Sequence, residues 1–370
     1  MIPNPFAAAP TDPDEVTLSI GGKKWRFWDG LALTSSIDTF DSVAFSAGFE
    51  AERQEFKDTF RPFSFKPLAV DIGGERFLTG TMVGVVPEID VDSRTVAVSG
   101  YSKPGVLCDC DAPASLLPFE SNGLTLEQIA ESICAPFGLT VVFEGASGGS
   151  FKRVKMPNHR KRRLPGVKKE LEAGANLHGF LVELAKQRGF VITNTTDGEL
   201  LFWRSTSSGS PVARLDARKP PILSVKPTFN PQEYFSEITG YVPHRKGQKG
   251  ARYTQKNARL AGVLRSSSWK LDDIEKGDGP AAVHAALGRM FAGAVSYELD
   301  VPTWRDPKGR LWARNTTLKL IAPDAMIYTE YEFLIRTVTL RQDADSKTAT
   351  LHLVMPGAFD GEVPPLLPWD

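Results

Sequence analysis

The sequence predicts a mainly β protein in which a small α+β part sits between two small β-barrels. Three observations lead there. Gly-Gly pairs twice separate short alternating apolar runs, which is the turn chemistry of tight hairpins. Strand-like segments crowd residues 14–105, about seven in that span by their period-two pattern. The same texture returns after residue 221, and the helix signals gather between the two regions. The 370 residues allow two or three domains at ~150 residues each. The reading divides them into an arm (1–13), a first barrel (14–105), an α+β domain (106–220), a second barrel (221–243 and 292–356), an insertion (244–291) and a tail (357–370).

The elements follow in order. Residues 16–20 and 23–28 flank Gly21-Gly22, and residues 68–72 and 75–78 flank Gly73-Gly74. A type I′ turn needs positive φ at both central positions, which glycine accepts without strain. Val43, Phe45, Ala47 and Phe49 alternate with smaller or polar residues, and 81–89 and 94–101 form a further pair of strands. Thr125-Leu126-Glu127-Gln128 is a capping box, and Leu126, Ile129, Ala130 and Ile133 then share one helical face up to Pro136-Phe137-Gly138. Residues 140–143 form a short strand. A second helix starts at Asn176 and ends by Gly189, and a hairpin turns at Asp197-Gly198. Strands return at 222–226, 235–242, 294–301, 311–321, 327–340 and 348–355. The insertion holds a basic loop and a helix over 280–291.

Composition removes several function classes. Lys+Arg and Asp+Glu both number 44, so the chain as a whole is not a polyanion binder. Three cysteines, Cys108, Cys110 and Cys134, exclude a disulfide scaffold. Cys-Asp-Cys at 108–110 has no second Cys or His cluster beside it, so zinc is not indicated; two small side chains on one strand face is the plainer reading. No apolar run reaches the ~18 residues of a membrane-spanning helix, and no secretory leader is recognisable. The expectation is assembly in a cytoplasm without stable membrane insertion.

The search for chemistry finds no nucleotide loop, zincin helix or nucleophile elbow. His159, His178, His244, His284 and His352 are isolated from one another and from cysteine, as surface or core histidines are. Asp38 and Asp41 read as turn residues. Trp25, Phe27, Trp28 and Phe45 suit core packing, with a stacking platform as the alternative. Charge is the informative local feature. Lys152, Arg153, Lys155, Arg160, Lys161, Arg162, Arg163, Lys168 and Lys169 form an acid-free block. A second run comprises Arg245, Lys246, Lys249, Arg252, Lys256, Arg259 and Arg265. Such blocks are ordinarily solvated faces; the alternative is contact with an acidic partner or a polyanion. The glycines and Pro157 within 145–172 predict a surface excursion there.

The order of these parts resembles the baseplate hub protein of Mu-like contractile phage tails, the late control protein D family, which is related to the tube-like part of type VI secretion spike proteins. The matching residues run from Val16-Thr17-Leu18-Ser19-Ile20-Gly21-Gly22 with Trp28, through Asp92–Lys103 and Leu107-Cys108-Asp109-Cys110, to the capped helix and the Asp197-Gly198 hairpin. They continue at Thr303-Trp304-Arg305-Asp306-Pro307-Lys308-Gly309-Arg310-Leu311-Trp312, Phe333-Leu334-Ile335 and Thr350-Leu351-His352-Leu353-Val354-Met355-Pro356. The sequence departs at Gly100-Tyr101-Ser102-Lys103, where the family carries an Asp, and the basic block at 150–170 lies outside the pattern.

The absent motifs and isolated histidines predict a non-enzymatic chain without metal or cofactor, and the resemblance implies a mechanical role. It implies a homotrimer whose six barrels ring a channel and adapt a sixfold tail tube to a threefold central spike for cell puncture and genome ejection. The implied partners are the spike, tail tube or distal tail proteins, baseplate wedge proteins and the tape measure protein, with DNA only in passage and the tail baseplate of a virion as location. Neighbouring subunits are expected to meet at strand edges from 81–101 and 311–355. The rival readings are a tail-associated cell-wall hydrolase and a DNA-binding tail protein acting through the basic runs.

Overall fold

The computed structural model describes every residue except 1–11, 27, 92, 121–123, 146–151, 154–169, 172, 187, 205–208, 244–249, 272–278 and 360–363. The first part holds β1 (Val16–Ile20), β2 (Lys23–Trp25), β3 (Gly30–Ser36), β4 (Ser42–Gly48), helix α1 (Gln54–Thr59), β5 (Pro67–Ile72), β6 (Glu75–Ile89) and β7 (Arg94–Ser102). Both Gly-Gly turns have positive φ at each residue, 57° and 84° at Gly21-Gly22 and 59° and 86° at Gly73-Gly74. Two expected strands at 75–78 and 81–89 are one, β6, which bends at a bulge between Met82 and Gly84. Trp25 packs edge-on to Phe56 and Phe60 rather than offering a platform.

The middle part holds α2 (Val106–Asp109), β8 (Phe119–Glu120), α3 (Leu126–Cys134), β9 (Val141–Gly145), β10 (Lys152–Arg153), β11 (Glu170–Leu171), α4 (Leu177–Lys186), β12 (Val191–Asn194) and β13 (Leu200–Trp203). Both arms of the capping box form, Gln128 N–H to Thr125 Oγ1 at 3.2 Å and Thr125 N–H to Gln128 Oε1 at 3.0 Å. Cys108 lies on the short helix α2, which corrects its assignment to a strand. The sheet β10-β9-β13-β12 is covered on both faces. Phe143, Ile192, Leu200 and Phe202 face α3 and α4. Val142, Val191, Leu201 and Trp203 pack against Ile37, Leu334 and Val354 of the main sheet. Period-two alternation thus makes this small sheet a glued layer.

The last part holds β14 (Arg214–Asp216), β15 (Ser224–Phe229), β16 (Glu237–Val242), β17 (Ala251–Lys256), β18 (Ser266–Lys270), α5 (Gly279–Ala294), β19 (Val295–Val301), β20 (Thr317–Ala322), β21 (Ile327–Asp343) and β22 (Lys347–Val354). Strand β16, expected beside the other C-terminal strands, pairs instead with β17 and β18, which the sequence reading missed inside the insertion. Strand β20 begins at 317 rather than 311, because the preceding residues brace a loop. Asp306 Oδ1 accepts from the backbone of Lys308 and Arg310 (2.8 and 3.0 Å), and the fully buried Trp304 indole donates to the carbonyls of Arg341 and Thr348 at 3.1 and 2.9 Å.

The two strand-rich regions are not separate barrels. They share one 13-stranded sheet with the order β15-β19-β22-β21-β3-β4-β7-β6-β5-β1-β2, to which β20 and β14 add beside β21. No closed barrel occurs among the described residues. One edge of β21 pairs with β22; the other pairs first with β20 and then with β3 through seven residue pairs, Thr337–Ser36 to Asp343–Gly30. A single apolar cluster underlies both regions, from Leu18, Leu33 and Val98 to Tyr297, Leu320 and Leu351.

All three parts meet at Arg314. Its guanidinium donates to the carboxylate of Asp41, to Ser36 O at 2.8 Å, to Thr193 Oγ1 at 2.9 Å and to Asn194 O at 2.6 Å. Asn194 closes the ring with Asp41, accepting from its N–H at 2.7 Å and donating to Oδ2 at 3.0 Å. Burial pushes the Asp41 carboxyl up, against the pull of Arg314. Nearby, Arg336 grips Asp38 through two bonds at 3.1 and 2.9 Å. Asp38 and Asp41 are therefore anchors between distant segments, beyond the turn role the sequence suggested.

Asp14 ties the start of the chain to its end, 2.6 Å from Arg305 and 2.8 Å from Lys347. Burial pushes its carboxyl up, but the hydrogen bonds from Lys347 and Arg305 outweigh this and hold it below the ordinary value.

Arg314→Met leaves a buried carboxylate without its cation and should cost about 3–5 kcal/mol in urea unfolding. Adding Asp41→Asn should cost less than the sum of the two single changes, because the residues share one network. Asp14→Asn should lower Tm at about pH 6. A depressed folded pKa stabilises above the unfolded value of ~3.9, so the difference from wild type should close as pH falls below about 4.

Candidate assembly surfaces

Alternation gives the main sheet one apolar face and one open face. On the open face Ala44, Ser46, Ala97 and Ser99 are small residues that line a hollow of 460 Å³ over β3, β4, β6 and β7, bounded at β21 by Arg341 and Asp343. Hydrogen bonds tie its side chains across strands. Thr34 meets Thr339 at 3.3 Å and Ser36 meets Thr337 at 2.8 Å. Arg341 donates to Thr350 at 3.0 Å, and Thr350 and Ser224 donate to Asp300 at 2.7 and 2.6 Å. Burial pushes the Asp300 carboxyl up, but these two hydroxyls and Lys226 at 3.6 Å hold it below its ordinary value.

Two open stretches of the sheet each carry a proline: β15 at one end of the strand order, and β6 where it runs on beyond β5. Asn230 N–H donates to Ala294 O, so the antiparallel alternation turns the nitrogens of residues 225, 227 and 229 of β15 outward. Position 227 is proline. Likewise Asp90 N–H donates to Ser93 O, which turns residues 85, 87 and 89 of β6 outward beyond the reach of β5, and position 87 is proline. Proline removes a donor from an exposed ladder and blunts indiscriminate pairing. The expected contact edge at 311–355 is not open: β20, β21 and β22 each have strand partners on both sides within the chain. The edge expected at 81–101 is open along β6 only, since β7 is covered by β4.

Apolar side chains gather near these edges. Ile89 and Val91 at the β6–β7 tip are 79% and 95% exposed, and Phe63 before β5 is 86% exposed with φ at 55°. Such a φ is costly for a bulky residue. Beside β15, the side chains of Phe229, Tyr234, Phe291, Met326, Tyr328 and Trp369 line an apolar groove of 670 Å³.

Of the candidate contact residues of the first basic run, only the backbones of Lys152 and Arg153 are among the described residues. Lys152 and Arg153 form β10, paired with Gly145 and Glu144. Their side chains, and Lys155, Arg160, Lys161, Arg162, Arg163, Lys168 and Lys169, lie outside the described residues. In the second run, Arg259 bonds Asp370 at 2.8 Å, and Arg265 holds the carbonyls of Tyr234 and Pro231 at 2.9 and 2.6 Å. His178 lies against Phe40, and burial lowers its pKa. Among the described residues, no three His, Cys, Asp or Glu side chains gather as metal ligands, and no helix is long and apolar enough to cross a membrane.

Comparison with known proteins matches this architecture. The model of the N-terminal domain of Mu phage baseplate assembly protein GpP-like proteins covers residues 15–102, and that of the second domain of baseplate hub protein gp44-like proteins covers 104–159. The boundary between them follows the end of β7. The chain is 26% identical over 337 residues to baseplate hub protein gp44 of Escherichia phage Mu, covering 88% of this chain and 83% of that one. It superposes on the 43 kDa tail protein of prophage MuSo2 from Shewanella oneidensis with a TM-score of 0.71 at 25% identity, over 93% and 99% of the two chains. A tail protein from Neisseria meningitidis MC58 shares the fold, with a TM-score of 0.73 at 19% identity over 94% and 98%. The likeness to Mu-type baseplate hub proteins read from the sequence is thus found independently in sequence and in structure.

Pro227→Val and Pro87→Val return a donor to an open edge. Each variant should keep the fold, measured by circular dichroism, and should self-associate more than the parent in concentration-dependent light scattering.

Proposed function

We propose that this chain is a structural hub subunit of a contractile phage tail, located in the baseplate of the virion. The observation that carries the reading is similarity to the Mu baseplate hub protein along 88% of the chain. The protein works by shape and by contact, without enzymatic chemistry, metal or cofactor.

In this reading three copies close into a ring. The two strand-rich regions of each chain serve as two similar tube-like domains, so the ring presents six quasi-equivalent units to a sixfold tail tube and threefold symmetry to a central spike. The small polar side chains of the open sheet face suit the wall of a channel through which DNA passes, because fixed hydroxyls and few net charges give a polyanion little to grip. The free edges of β6 and β15 and their apolar flanks suit the seams between copies, since exposed apolar patches of this kind mark interaction sites. Wedge, distal tail and tape measure proteins complete the set of partners.

Native mass spectrometry of the chain with its spike, or image reconstruction of purified tails, tests the reading. Three copies per spike trimer are expected, and any other dominant symmetry for this chain overturns it.

A further inference from the structure

The three-stranded sheet β17-β16-β18 carries a charged surface. Residues 238–271 contain eight Lys/Arg and no Asp or Glu, in a chain whose net charge is zero. Two of those cations, Arg259 and Arg265, are occupied within the fold, bound to Asp370 and to backbone carbonyls. Others stand on the outer face of the three-stranded sheet β17-β16-β18.

Register orders that face into rows. Tyr241 lies opposite Arg252 on one neighbour and Lys270 on the other. Thr239 lies opposite Thr254 and Ser268, and Glu237 opposite Lys256 and Ser266. Directly opposed side chains on a sheet are ~5 Å apart at Cβ, so each row is a continuous strip. The inner face is closed by α5: a Cβ on Gly240 would stand 2.9 Å from Val283 Cγ2, and one on Gly279 would stand 2.2 Å from the Tyr253 ring. Among the described residues the outer face has no such cover. Tyr241 is 39% exposed, and Arg252 and Lys256 are exposed and make no ion pair among the described residues.

We infer that this face is the docking surface for an acidic protein of the tail, with Tyr241, Arg252 and Lys270 at its centre. Arginine and tyrosine side by side are the residue types that anchor protein interfaces, and the neighbouring hydroxyls supply donors that carboxylates accept. Charge selects the partner: the Tyr241 row carries two cations and no acid. Nucleic acid suits the face less well. Three cations are few beside the ~6–10 phosphate contacts of a duplex binder, one aromatic ring makes a short stacking platform, and Glu237 stands on the same face. The inference rests on the hub reading for the claim that the partner is a tail protein.

The test places the photoreactive residue p-benzoylphenylalanine at position 241 of the full chain in assembled tails, with cross-linked peptides identified by mass spectrometry. A cross-link to a different tail protein, on a segment richer in Asp and Glu than in Lys and Arg, is expected. Cross-links to DNA, to a second copy of this chain, to a neutral or basic segment, or to nothing overturn the inference. In parallel, Arg252→Glu with Lys270→Glu should keep the parent's circular dichroism and Tm, because the face is exposed. It should reduce incorporation into tails at least about tenfold, since like charges facing each other across an interface cost several kcal/mol. Unchanged incorporation overturns the docking role. Threefold tails with cross-links elsewhere sink this inference alone, whereas absence of the chain from tails sinks the hub reading with it.

Discussion

One buried cation ties the three parts of the chain together. Arg314 reaches from the loop before β20 to the β3–β4 connection and to strand β12, and so touches all three parts of the chain at once. A guanidinium can do this because its planar fork presents five donors in fixed directions. Here four acceptors take them, and Asp41 supplies the compensating charge. A buried ion pair is not by itself a gain in stability over an apolar packing of the same shape. Its value here is directional. Apolar surfaces such as those of Ile37, Trp203 and Leu334 tolerate sliding, whereas the hydrogen bonds of Arg314 are satisfied in one arrangement only.

With that arrangement fixed, the main sheet can be continuous. Strand β21 is the shared member: β22 lines one edge, and β20 and β3 divide the other. The two regions therefore share an open face, an apolar underside and a pair of free ends. The small β9–β13 sheet packs on Leu334 and Val354, which point away from the Ile335 and Leu353 side of the main sheet, and α5 packs against the β16–β18 sheet.

The parts of this plan governed by local chemistry were legible in the sequence. Gly21-Gly22 and Gly73-Gly74 announce their hairpins because positive φ at two adjacent positions has few other solutions. Thr125 and Gln128 announce their helix because both partners of the cap lie within four residues. What escaped depends on partners far away in sequence. Asp41 finds Asn194 and Arg314 at separations of 153 and 273 residues, and nothing around Asp41 distinguishes it from an ordinary turn aspartate. Strands β17 and β18 hid in a basic, serine-rich stretch whose inner-face positions, Ala251, Tyr253, Gln255, Ser267 and Trp269, form no aliphatic alternation. The open edges were misplaced for the same reason: whether a strand has one neighbour or two is a property of the whole sheet. The surface at Tyr241 emerges only when pairing sets Arg252 and Lys270 on either side of it.

The joint between β21 and β3 also gives the subunit a grain, like wood. Seven residue pairs hold the two regions side by side, with their hydrogen bonds perpendicular to the strands. A load directed along the strands strains all of those bonds together, and they fail only as a group. A load that pries the strands apart meets them one after another, each worth only ~0.5–1.5 kcal/mol net. The molecule is thus stiff in shear along β21 and weak in peeling across it, so a hub built from it withstands a driving stroke best when the stroke runs parallel to that strand.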